Sequence, residues 1–417
     1  YPLRRQRQMC IRDSFKAASA TLVEDTETIL RTVESTIGVE EANDKVLTAL
    51  RKWLARMAFD MLATLSDEEW GTSSLINNLA TLLKEQGRFA EAESLYRDAL
   101  AARREHKGSK HPKTLLAMSN LALLLQEQGN FNEAEALFRE NFEARLETLG
   151  ENDPLTLMAM HNLGKVLKDR GYLSDAEKLL RSALELRTQV LGEHHKDTIS
   201  TLKILGLVLH DGGKLKEAEL IFYRELEAMR AVAGEHDPET LASMNNLALL
   251  LQDLENTDAA LPLFRDALDL KRKVLGDRDP ATLTAMNNLA MLLQDLGMTE
   301  EAEPLFREAL ASRQATLGAT HPRTLTSMNN LAGLLFVECR FAEAEIYYRQ
   351  CLEARRRMLG NGHPSTLDSM NNLALVLKEQ GKDQEAENEA LEYIRASGRV
   401  SEILDDDAWG DDPYDED

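Results

Sequence analysis

The stretch Met286–Thr324, MNNLAMLLQDLGMTEEAEPLFREALASRQATLGATHPRT, decides the fold, because the chain restates it at a fixed spacing of 42 residues. Its opening Asn287-Asn288-Leu289-Ala290 returns as Asn77-Asn78-Leu79-Ala80, Asn245-Asn246-Leu247-Ala248, Asn329-Asn330-Leu331-Ala332 and Asn371-Asn372-Leu373-Ala374. Looser copies stand between them at Ser119-Asn120, His161-Asn162 and Lys203-Ile204, giving eight units. Self-similarity at such a period marks a solenoid, since each unit can bury its apolar face only against its neighbours. Function is then expected along a repetitive surface rather than in one pocket.

One unit, His111 to Asn152, shows how the repeat is built. Leu115, Met118, Leu121, Ala122 and Leu125 recur at spacings of three and four, the stripe of a helix with one buried side. Gly129 ends that helix, and Ala134, Leu137, Phe138 and Phe142 form the stripe of a second, which ends near Leu149-Gly150. Two antiparallel helices joined by a tight turn therefore make the unit. The turn recurs as Gly87, Gly171, Gly213, Gly297 and Gly381, with Glu255 and Cys339 breaking the rule. Each first helix is announced by His111-Pro112, Asp153-Pro154, Asp237-Pro238, Asp279-Pro280, His321-Pro322 or His363-Pro364. Asp accepts a hydrogen bond from a first turn, and Pro at the first helical position gives up only a donor that lacks a partner anyway. The histidines lie a repeat apart, alternate with Asp and precede Pro, so they read as helix starts and not as metal ligands.

Small residues at Ala92, Ala134, Ala176, Ala218, Ala260, Ala302, Ala344 and Ala386 mark where the second helix crosses the first. Four positions later come Tyr96, Phe138, Leu180, Phe222, Phe264, Phe306 and Tyr348, which read as core filling between units.

The bulk numbers narrow the function classes. With 71 acidic against 49 basic residues, a formal charge of −22 and a pI of about 4.9, the chain has the wrong sign for wrapping nucleic acid or anionic lipid. No apolar run is long enough for a membrane helix, so no membrane insertion is expected. Three cysteines in 417 residues give no disulfide framework and read as reduced thiols of a cytoplasmic protein. No G-x-x-x-x-G-K-[ST] loop, metal-spaced Cys/His cluster or convergent acid–base set stands out, so no cofactor and no catalysis are expected.

Four segments follow. Residues 1–14, whose RRQRQMCIRDS resembles translated library-adapter sequence, read as non-native and are set aside. Residues 15–71 read as a helical N-terminal cap, with Val46, Leu50, Trp53, Leu54, Met57 and Met61 as an apolar stripe shielding the first repeat. Residues 72–396 are the array, and 397–417 an acidic tail too poor in apolar residues to pack, hence disordered.

Leu121-Ala122, Ala134 and Phe138 fall at the spacing of the tetratricopeptide-repeat signature, stretched by eight residues. In this 42-residue form the repeats resemble those of kinesin light chains and are similar to repeats of nephrocystin-3-like proteins and of some signalling ATPases. The resemblance implies an all-α fold, a right-handed α-solenoid superhelix of eight antiparallel helix pairs. It also implies a non-catalytic scaffold or adaptor whose concave groove binds peptide segments of protein partners, lined by the second Asn of each NNLA element. These are Asn78, Asn120, Asn162, Asn246, Asn288, Asn330 and Asn372, with Ile204 as the one substitution. An Asn amide offers a donor and an acceptor, the complement of a peptide bond. The same residues could instead satisfy a neighbouring helix, which is the favoured reading for the first Asn. Equivalent inward positions in the third and fourth repeats carry His161, Lys165, Lys168, Lys203 and His210, a basic subsite suited to acidic segments or simply a solvated face. Trp409, set among Asp405, Asp406, Asp407, Asp411 and Asp412, looks like the tryptophan-acidic peptides that kinesin light chain grooves bind, either as a self-ligand or as an incidental residue of a solubilising tail. Two other readings stay open: a scaffold contacting folded partners through its second helices, and a regulatory repeat fragment of a larger signalling ATPase.

Overall fold

A computed structural model describes residues 74–397. The adapter-like segment 1–14, the cap expected over 15–71 and the acidic tail with Trp409 lie outside the described residues, except that Ser397 closes the last helix. Sixteen α-helices run in eight consecutive pairs among the described residues. They are α1 (Ser74–Glu85), α2 (Phe89–Lys107), α3 (Pro112–Glu127), α4 (Phe131–Leu149), α5 (Pro154–Asp169), α6 (Leu173–Leu191), α7 (Lys196–Asp211), α8 (Leu215–Ala233), α9 (Pro238–Asp253), α10 (Thr257–Leu275), α11 (Pro280–Asp295), α12 (Thr299–Leu317), α13 (Pro322–Val337), α14 (Phe341–Leu359), α15 (Pro364–Glu379) and α16 (Asp383–Ser397). The chain divides into two compact units between Ala176 and Glu177, each built by stacking one helix pair on the next.

The first helices start where the His/Asp-Pro signal places them. Asp153 Oδ1 accepts from Leu155 N at 2.8 Å and Asp279 Oδ1 from Ala281 N at 2.7 Å. His111, His321 and His363 accept through Nδ1 from the amides of Lys113, Arg323 and Ser365, each at 3.1 Å. A ring nitrogen does the work of a carboxylate here, accepting the first-turn amide that Asp accepts in the sister repeats. One further start lacks the proline: His195 Nδ1 accepts from Asp197 N at 3.2 Å, ahead of α7.

The turns inside each pair share one geometry. At α3, Asn130 N donates to Leu125 O at 2.8 Å and Gly129 takes φ +80°, the left-handed residue that closes a helix and satisfies its last carbonyls. Glu255 and Cys339 keep this shape without being glycine, both at φ +59°, and Asn256 N and Arg340 N still donate to Leu251 O and Leu335 O. The hydrogen-bond pattern of the repeat thus overrides the local steric preference, at a cost carried by the two substituted residues.

The core follows the small–large rule. Ala134, Ala218, Ala260, Ala302 and Ala344 are wholly buried, and Phe138, Phe222, Phe264 and Phe306 nearly so. The fit is tightest at Gly206 in α7, where a Cβ would stand 2.5 Å from the Phe222 ring of α8.

Candidate functional site

The asparagine pairs of the last four repeats interlock. Asn288 Nδ2 donates to Asn245 Oδ1 at 3.0 Å, Asn330 to Asn287 at 3.2 Å, and Asn372 to Asn329 at 3.3 Å. The second Asn of one repeat thus holds the first Asn of the repeat before it. The first Asn of each bonded pair serves as the acceptor, the structural part expected of it. The bond spends one of the two amide protons of Asn288, Asn330 and Asn372, and their Oδ1 atoms accept no hydrogen bond from any described residue. All three side chains are half-buried.

The other four expected ladder members are placed differently. Asn78 is exposed and Asn120, Asn162 and Asn246 are half-buried, with no side-chain hydrogen bond to a described residue. The cause is local for two of them. Asn77 Oδ1, the acceptor in register with Asn120, takes Arg103 Nη1 at 3.2 Å, and Lys203, in register with Asn246, has no acceptor to offer.

A second rung joins successive first helices about two turns further along. Gln252 Nε2 donates to Asp295 Oδ2 at 2.9 Å, and His210 Nε2 lies 2.6 Å from Asp253 Oδ2. In the N-terminal unit Lys84 pairs with Glu127 at 2.6 Å and Gln126 with Asp169 at 2.5 Å. Sequence reasoning missed these rungs, although a donor and a carboxylate recur 43 residues apart. Between the rungs, Met291, Gln294 and Asp295 of α11 and Asn329, Asn330 and Gly333 of α13 line a shallow recess of about 170 Å³. It presents carboxamide, carboxylate and thioether together, a surface able to accept and donate hydrogen bonds to a guest backbone.

The residues read as a basic subsite fall on two helices, one in each unit. On α5, His161 is buried, while Lys165 and Lys168 are half-buried, with Lys168 Nζ 4.0 Å from Asp169. On α7, Lys203 Nζ pairs with Glu239 at 3.2 Å and His210 with Asp253. Lys203 and His210 therefore each face a carboxylate of the following repeat. The second helices carry their own ionic ladder, Arg265–Glu301 at 2.8 Å, Arg307–Glu343 at 2.6 Å and Arg349–Glu385 at 2.6 Å. Such exposed pairs add little to stability singly.

Comparison with known proteins agrees with this geometry. The tetratricopeptide repeat family model matches in seven overlapping stretches, residues 71–140, 114–189, 157–231, 197–273, 239–315, 281–357 and 323–397. The chain belongs to the tetratricopeptide-repeat family, whose arrays are in general protein-interaction modules and typically non-catalytic. Comparison with curated protein sequences gives no match. Among solved structures, the apo form of the quorum sensor NprR from B. thuringiensis is similar with a TM-score of 0.58 at 14% identity, over 89% of this chain and 97% of that one. A signal transduction ATPase with numerous domains and a tetratricopeptide-repeat sensor, from Pyrococcus horikoshii, reaches 0.58 at 16% identity, over 85% of this chain and 54% of its own length. A putative kinesin light chain from Podosopora anserina is 22% identical with a TM-score of 0.45, over 49% of this chain and 96% of that one. At these identities the likeness is one of fold. Among the described residues no helix is long and apolar enough to cross a membrane.

Proposed function

We propose that the array is a non-catalytic adaptor that holds extended segments of partner proteins along the face of its first helices. The second asparagine of each repeat engages the guest main chain. The observation carrying this reading is the half-buried Asn330 carboxamide in the recess, whose amide donates to Asn287 Oδ1 and to Met291 Sδ and whose Oδ1 accepts no hydrogen bond from any described residue. Each such contact contributes ~0.5–1.5 kcal/mol net. Two or three asparagines therefore supply about 1–4.5 kcal/mol, millimolar affinity at best, and a tighter guest needs side-chain contacts as well.

Acidic or tryptophan-containing segments are the favoured guests at the basic positions. An acidic side chain at Lys203 competes with Glu239 for the same ammonium group, so affinity there gains less than an unpaired lysine would give and falls with salt. Cys351 is buried, its thiol pushed up to about 12 by desolvation, and Cys339 is an exposed free thiol, which suits a reducing cytoplasm. Affinity capture with the parent chain beside an Asn288→Ala/Asn330→Ala variant tests the reading. Proteins retained by the parent and lost by the variant support it, and identical capture by both refutes it.

A further inference from the structure

One position of the repeat, at the C-terminal end of the first seven second helices, is occupied by Arg103, Arg145, Arg187, Met229, Lys271, Arg313 and Arg355 in turn, with Ser397 in the eighth. The arginines are posts between repeats. Arg313 Nη1 donates to Arg323 O at 3.2 Å and Ser327 Oγ at 2.6 Å, and Arg355 Nη1 to Ser365 O at 2.9 Å and Ser369 Oγ at 2.7 Å. Arg187 Nη1 makes the same two contacts, to Asp197 O and to Thr201 Oγ1 at 2.7 Å. These three guanidinium groups therefore bond the carbonyl ten residues on and the hydroxyl fourteen residues on, in the next first helix.

At Met229 the receiving groups are retained and the cation is replaced by a thioether. The carbonyl of Glu239 and the hydroxyl of Ser243 stand at the same two offsets, with Ser243 Oγ 3.1 Å from Glu239 O. An anion is added beside them. Glu225, 1% exposed, takes the Ser243 hydroxyl on Oε1 at 2.6 Å, while its Oε2 is shut from water and has no hydrogen-bond partner. The corresponding residue two repeats earlier, Asn141, accepts Arg145 Nε at 2.8 Å, so a side chain at this position reaches a guanidinium. Glu225, Met229, Glu239 and Ser243 line an open cavity of about 320 Å³, walled on its apolar side by Ile199 and Val232. Lys196 and Lys203 line it as well, with Lys203 Nζ paired to Glu239 at 3.2 Å. The carbonyl and hydroxyl that bind Arg187, Arg313 and Arg355 have their counterparts here, with a buried carboxylate besides, and neither is used by a residue at the arginine position.

We infer that the cavity between α7, α8 and α9 is a receptor for the arginine side chain of a partner protein, whose guanidinium takes the place that Arg187, Arg313 and Arg355 take within the chain. Its Nη protons would bond Glu239 O and Ser243 Oγ, and the carboxylate of Glu225 would neutralise its charge. The planar fork suits this set of in-line acceptors better than an ammonium does. Net charge of −22 favours a cationic guest electrostatically. The inference rests on the adaptor reading only in taking the arginine from a partner segment; the cavity stands without it.

Titration of the full chain, carrying methyl-labelled methionine, with N-acetyl-arginine amide tests the site apart from any longer peptide. N-acetyl-citrulline amide, the neutral isostere, and N-acetyl-lysine amide are the controls, and the Met229 methyl resonance is the readout. Saturable shifts with the arginine compound, at least about tenfold weaker with citrulline and lysine, are expected from the loss of charge in citrulline and of the planar donor fork in lysine. Glu225→Gln should weaken arginine binding by about the same factor while preserving the melting profile's shape. Met229→Arg should abolish binding and raise the melting temperature, because the sister residue then fills the receptor from within. Equal response to citrulline, unchanged affinity in Glu225→Gln, or a lowered melting temperature in Met229→Arg would each overturn the assignment. If arginine amide binds but long peptides do not compete with it, the cavity holds and the adaptor reading of the asparagine face fails.

Discussion

Asn330 donates its side-chain amide to Asn287 Oδ1 at 3.2 Å, one residue more than a full repeat back along the chain. The carboxamide is thereby oriented by the array before any guest arrives, and half of its hydrogen-bonding capacity is left over. Preorganisation of this kind lowers the ordering cost of binding.

The Asn288→Ala/Asn330→Ala variant should lose two inter-repeat bonds worth ~0.5–1.5 kcal/mol each, and no buried apolar contact. Circular dichroism should show unchanged helicity with a melting temperature lower by a few degrees at most. Collapse of the helical signal would make the asparagines structural first.

Glu255 and Cys339 hold a left-handed turn that costs a residue with a Cβ about 1–2 kcal/mol. Glu255→Gly and Cys339→Gly should therefore each stabilise the chain, less the entropy glycine regains on unfolding, by up to about 1 kcal/mol. Urea denaturation midpoints read the change. A shift to lower urea in both variants would contradict the account of the turn.

Gly206→Ala places a methyl 2.5 Å from the Phe222 ring, which cannot move aside without disturbing the packing of α8. A destabilisation of about 1–3 kcal/mol is expected from such overpacking. An unchanged unfolding midpoint would show that the helix pair tolerates a wider separation there.

Burial holds the Glu225 carboxyl above its ordinary range, against the Ser243 hydrogen bond and the Lys203 charge, which pull it down, and with Glu239 adding to the rise. The native state then binds this proton more tightly than the unfolded chain, so stability present below the ordinary glutamate value is lost as pH rises through the elevated one. Glu225→Gln should gain on the parent progressively over that interval. A stability difference that does not vary with pH would contradict it.

The helix pairs were legible in the sequence because their boundaries are made by local chemistry: His or Asp before Pro at one end, glycine at the other. Even the exceptions, Glu255 and Cys339, adopt the geometry their sister positions dictate. His195 escaped because its proline is replaced by Lys196, although Thr198 still marks the start. The asparagine face was half legible. Its residues could be named, but their pairing depends on an offset of 43 rather than 42 residues, set by how one first helix slides past the next. Charge was the least legible feature. Lys203 and His210 read from the sequence as part of a basic subsite or a solvated face, and only stacking brings Glu239 and Asp253 against them. The cavity at Met229 was hidden for the same reason, since the substitution means little until the partners of the sister arginines are known.

The most direct test of the central claim is isothermal titration of an acidic, tryptophan-containing peptide into the parent chain and into Asn288→Ala/Asn330→Ala. The account predicts saturable binding by the parent, weakened about tenfold or more in the variant at unchanged helicity. Equal affinity of the two proteins would contradict it.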